Sequence, residues 1–232
     1  MQRNKNRNKQ DSGNILVIIL VAIALFGALM FAFNKDSNQG TSNLTQKQTK
    51  IAAADILSYA QNIERAVNKL RLKGTSESDL DFENTAVAGY TNASCADDSC
   101  EIFDPLGGKQ IWQAPPGGAN DESQWAITGA IRINGVGTDG AAASNADLTL
   151  FLPNVTKMVC TEINTKLGVT NPGGDPPQTA GNANYTTKYQ GTFAAGDLVS
   201  EANLNGKEAA CFEGNGTPAA GTYHFYQVLL AR

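Results

Sequence analysis

The residues best able to do chemistry in this chain of 232 are four cysteines, Cys95, Cys100, Cys160 and Cys211, and one histidine, His224. Such a set could hold a metal ion or form disulfides. A zinc site is not expected: no Cys-x-x-Cys is present and the histidine is distant. Oxidised pairs are the better reading for a compartment outside the cytoplasm. Four cysteines allow three pairings. The favoured one joins Cys95 to Cys100 around the polar loop Ala-Asp-Asp-Ser, and Cys160 to Cys211 across 50 intervening residues. The larger loop stabilises by about 4 kcal/mol on a chain-entropy basis.

Other motifs resemble chemistry and fall short of it. Gly135-Val-Gly137-Thr-Asp-Gly140 matches G-x-G-x-x-G. A dinucleotide site needs a helix opening at those glycines, and the following AAASNAD is broken by polar residues, so a turn is expected. His224 has no G-x-S-x-G serine to serve, and packing or surface exposure is expected of it. Asp97, Asp98, Asp139, Asp147 and Asp175 could offer oxygen ligands to calcium, but none has the alternating spacing of a calcium loop. No catalytic, cofactor or metal site is expected, and the chain is not expected to be an enzyme. A net charge of -4 argues against a nucleic-acid partner.

The elements that would position these residues begin with an uneven charge distribution. Residues 1–13 carry Arg3, Lys5, Arg7 and Lys9 against Asp11. Then comes an unbroken apolar run of 19 residues, Ile15 to Phe33. As a helix it spans roughly 28 Å, near the thickness of a bilayer's hydrocarbon layer. Bases before the run keep the N-terminus cytoplasmic and place residues 34–232 outside. The run is too long for a cleaved signal and ends in Phe33-Asn34-Lys35, without a small-x-small site. An uncleaved single-pass anchor in the lipid bilayer is expected.

After the polar stretch Asn34–Gly40, apolar residues recur at helical steps from Ser42 to Lys73: Ile51, Ala54, Leu57, Ala60, Ile63, Val67 and Leu70. Lys69, Arg71 and Lys73 suit a helix C-terminus and Gly74 a left-handed stop. Residues 75–232 read as an exported α+β head domain rich in loops. Strands are expected around Trp125–Ile133 and Tyr223–Leu230. Pro153 could open a helix that continues through Val155, Val159, Ile163 and Leu167 to Gly168. Asp147–Leu152 fits either a strand or a helix start, and Asn171–Asn184 reads as a loop.

The basic leader ending in Gly13, the apolar helix, its amphipathic continuation and the cysteine-bearing head resemble a type IV pilin or pseudopilin. The resemblance implies cleavage between Gly13 and Asn14 by a prepilin peptidase, with Ile15–Phe33 bundling into a filament core with copies or other pilin-like subunits. It implies a transmembrane helix and a long amphipathic helix packed on a small antiparallel-sheet head, in a bacterial inner membrane with the head periplasmic or extracellular. The Cys160–Cys211 pair would be similar to the C-terminal disulfide loop of such heads. Domain divisions follow at 1–13, 14–33, 34–74 and 75–232. The chain departs from the family pattern in having Asn14 first after the cut and Ile18, where most members carry Glu, at the fifth mature position. A tethered domain that binds a ligand or partner is the other expectation.

Overall fold

The computed structural model describes Ile19, residues 45–140, Ala142, residues 145–194 and residues 196–232. The chain divides into two compact units, Met1–Lys47 and Gln48–Arg232. In the first, only Ile19 and residues 45–47 are described, all helical and exposed. The leader with Gly13 and Asn14, and the rest of the apolar run, lie outside the described residues. No helix among the described residues is long and apolar enough to cross a membrane.

Helix α1 covers residues 45–72. No Gly or Pro interrupts this stretch, and the helix stops where Gly74 takes φ 99°. Arg71 Nη1 donates to Thr75 O at 2.8 Å, satisfying a carbonyl just past the end. The buried face runs through Ala52, Ala53, Ile56, Leu57, Ala60, Ile63, Ala66, Val67 and Leu70. Burying each large member stabilises by roughly 1.5–3 kcal/mol. The expected stripe is out of phase at its start: Ile51 and Ala54 face solvent, while Ala52, Ala53 and Ile56 make the contact. Small side chains fill the buried positions there, so the true face carries less hydrophobicity than its neighbour.

Five strands follow: β1 (Ala126–Ile133), β2 (Asp147–Val155), β3 (Asp197–Val199), β4 (Ala209–Glu213) and β5 (Tyr223–Leu230), with α2 (Lys157–Leu167) after β2. They form one curled, half-barrel sheet in the order β3-β1-β2-β5-β4. The antiparallel head expected from the sequence is therefore corrected to a mixed sheet. β1 pairs antiparallel with β2 but parallel with β3, through Ile131–Asp197, Arg132–Leu198 and Ile133–Val199. A parallel partner requires a long crossover, and here the chain runs through β2, α2 and the connection after it before returning to β1. A three-residue strand at the end of such a path has no periodicity of its own to reveal it.

Each sheet face carries its own core. On one lie α1 and α2, with Leu148, Leu150, Leu152 and Phe225 beneath them. On the other, Phe151, Phe212, Tyr226 and Val228 pack with Val199 of β3 and with Val169, Ala183 and Leu204 from the connecting segments. β1 serves both. Thr128 pairs with Thr149 and Ile131 with Asp147, so β1 takes three steps where β2 takes two. One extra residue reverses the side-chain alternation. Ile127 accordingly enters the helix-side core, and Ile131 and Ile133 the opposite one.

β2 continues through Pro153 and Val155, so Pro153 does not start a helix as the sequence suggests. It falls in the register irregularity between Leu152 and Val155, where a missing N–H is tolerated. Helix α2 begins later, at Lys157, and ends on Gly168 in the left-handed conformation, as expected.

Candidate functional site

Both favoured cysteine pairs are present. Cys95 is bonded to Cys100, and Cys160 to Cys211, and no free cysteine remains among the described residues. The second bond ties α2 to β4 from the helix-covered face.

The other chemistry-bearing residues are dispersed. His224 is fully buried in β5 among Phe151, Tyr185 and Phe212. Its Nε2 lies 2.7 Å from Thr222 Oγ1, and Asn154 N donates to its Nδ1 at 3.4 Å. Burial pushes its pKa down to about 4. Asp147 is buried too, accepting from Ile133 N at 3.0 Å and Arg232 N at 3.1 Å; burial raises its pKa to about 6. Asp139 accepts from Gly135 N, Asp97 caps the short turn at Ser99, and Asp175 pairs with Lys157. Among the described residues no three His, Cys, Asp or Glu are grouped as a metal site. Gly135 and Gly137 take positive φ in the turn leaving β1, and no helix opens from 135–140 among the described residues.

An open groove of about 610 Å³ is a different matter, because several chemical types converge in it. Its lining includes Glu83, Glu101, Phe103, Gln110, Ile111 and Trp112. Asp81 sets the base. Ile102 N donates to Asp81 O at 2.8 Å and Asp81 N to Cys100 O at 3.1 Å, so two extended segments run side by side. The Asp81 carboxylate accepts from Glu83 N at 2.6 Å and Asn92 N at 2.7 Å, fixing the turn that presents Glu83. Cys95–Cys100 closes the adjoining loop.

The segment after Glu101 then folds back. Gly108 N donates to Glu101 O at 2.8 Å and Gln110 N to Ile102 O at 3.1 Å. A Cβ on Gly107 would sit 2.0 Å from Glu101 O, so only glycine permits this approach. The fold-back sets Phe103 edge-on to Trp112 at 5.4 Å between ring centres. Ile111 stays 77 % exposed at the mouth. Partial burial raises the Glu101 carboxyl pKa, and so do the nearby acids Asp81, Asp98, Asp104 and Glu83. Neither Glu83 nor Glu101 has an ion-pair partner among the described residues. The groove thus combines apolar side chains with two carboxylates, a lining suited to an apolar side chain flanked by cations.

The sequence does not announce this groove. Its residues come from two irregular stretches, 83–85 and 101–112, with neither helical nor strand periodicity. The available signals were the Gly107-Gly108 pair and the unsheltered Ile111-Trp112. No protein-family model matches the chain, nor does any curated protein or solved structure.

Proposed function

We propose that this chain is a membrane-anchored structural subunit of a bacterial envelope filament or secretion pseudopilus, held by Ile15–Phe33, with its disulfide-bonded domain outside the inner membrane. The observation that carries the reading is the construction of α1. This helix follows the apolar run in the chain, and from Ala52 to Leu70 it is built into the domain core, not joined to it by a linker. Load applied to such a helix passes into the sheet through packed side chains, and Cys160–Cys211 fastens α2 to the same sheet. Both are properties of a subunit that must hold its shape in an assembly. The test is intact mass and particle size of the full chain extracted from membranes, before and after treatment with a prepilin peptidase. Loss of residues 1–13, two disulfides and higher oligomers are expected. A freely soluble chain with four thiols and an uncut leader would overturn the proposal.

The groove favours a second reading, an uncleaved single-pass protein that displays a partner-binding domain. Under it the leader stays in place and the extracted protein is monomeric.

A further inference from the structure

We infer that the groove lined by Phe103, Ile111 and Trp112 receives the C-terminal end of α1 from a second copy of this chain, with Leu72 against these side chains and Lys69 and Lys73 against Glu101 and Glu83. This inference rests on the structural-subunit reading and supplies a contact between neighbouring domains for it.

Leu72 is the most exposed of the domain's large apolar side chains, at 90 %. It projects from the last turn of α1 while Leu70 is buried and Arg71 is held on Thr75 O. Lys69 and Lys73 are exposed beside it, and neither makes an ion pair among the described residues. An apolar side chain with two cations near it is thus matched in sign and type by a groove that holds apolar side chains and two anions.

The two patches lie on different parts of the domain, and Leu72 is not among the residues lining the groove. Gln113 N, next to the groove-lining Trp112, donates to the Tyr59 hydroxyl at 3.4 Å, so that part of α1 lies beside the groove. Leu72 is about 20 Å further along the helix at 1.5 Å per residue. Complementary patches at separate places on one rigid domain make a heterologous contact, which repeats from copy to copy. The exposed charges set orientation more than affinity, and Leu72 supplies the desolvated contact.

The experiment uses the full chain in detergent micelles or liposomes, with the photoreactive residue benzoylphenylalanine replacing Leu72. Irradiation should give covalent dimers whose linked peptides fall in 83–85 or 101–112 of the other copy. Glu101→Lys should weaken association about tenfold, and adding Lys69→Glu to the same chain should restore it. Leu72→Asp, at an exposed position that leaves the core untouched, should weaken association without changing the disulfides. Oligomers linked elsewhere, or unaffected by Leu72→Asp, would overturn this contact and leave the subunit reading standing. A wild-type chain monomeric under every condition would overturn both.

Discussion

Asn164 on α2 grips both backbone groups of Cys211 on β4. Its Nδ2 donates to Cys211 O at 2.8 Å, and Cys211 N donates to its Oδ1 at 2.8 Å. The same amide nitrogen donates to Asn171 Oδ1, also at 2.8 Å. The side chain therefore acts as a one-residue strand partner for β4, and Cys160, one turn earlier on α2, bonds the Cys211 sulfur. Asn164→Ala leaves two buried backbone groups unpaired and should cost about 2–4 kcal/mol, read by urea unfolding of the oxidised protein. A loss under 0.5 kcal/mol would show that the sheet edge is held by the disulfide alone.

The two disulfides should differ in weight. Removing Cys160–Cys211 by paired alanine substitution should cost about 4 kcal/mol, and removing Cys95–Cys100 about 2 kcal/mol, because the loops they close differ tenfold in length. Comparison of the two variants' unfolding midpoints checks the order. Equal losses would point to native-state strain as the dominant effect.

His224 should make the domain acid-sensitive. Its folded pKa of about 4 lies below the ordinary 6.5, so the unfolded chain binds the extra proton more readily. Its contribution is complete above pH 6.5 and disappears as pH falls toward 4, by about 3 kcal/mol in total. His224→Phe keeps a ring among Phe151, Tyr185 and Phe212 and should flatten this part of the stability profile. Parallel profiles for both proteins would refute the buried neutral imidazole.

Asp147 works in the opposite direction. Its folded pKa, about 6 against 3.8, means that the native state takes up a proton first, so ionisation between those values lowers stability as pH rises. Asp147→Asn should remove that slope while retaining one acceptor for Ile133 N or Arg232 N. Denaturant titrations at pH 4 and pH 7 would detect it: the difference between them should shift toward greater relative stability at pH 7 in the variant.

Helix phase offers a further check. Ile63→Ala should cost about 2–5 kcal/mol, while Ile51→Ala should change stability by less than about 0.5 kcal/mol. Comparable losses at both positions would restore the face expected from periodicity, which holds Ile51 and Ile63 alike.

That error of phase shows what was legible in the residues and what was not. Tyr223–Leu230 reads as a strand because aromatic and β-branched residues fill it, and β5 has those same bounds. Val159, Ile163 and Gly168 mark α2 correctly, yet Pro153 suggests too early a start because a bulged strand tolerates proline as well as a helix does. At the N-terminal half of α1, Ile51 outweighs Ala52 and Ala53 in any hydrophobic pattern, although the alanines are the buried residues. β3 and the groove were hidden for another reason. Asp197–Val199 pairs with residues far behind it, and Glu83 and Trp112 reach one groove from separate loops, so neither relationship leaves a local repeat.

The parallel strand has a consequence during synthesis. The outer border of β1 is completed only by residues made much later: Tyr189 N donates to Ile127 O at 2.9 Å, Ala194 N to Gly129 O at 3.1 Å, and β3 pairs beyond them. Until that stretch emerges, a row of backbone carbonyls and amides on β1 stands ready to recruit any extended peptide nearby. A nascent chain thus carries a sticky margin that its own late segment must reach before a neighbour does.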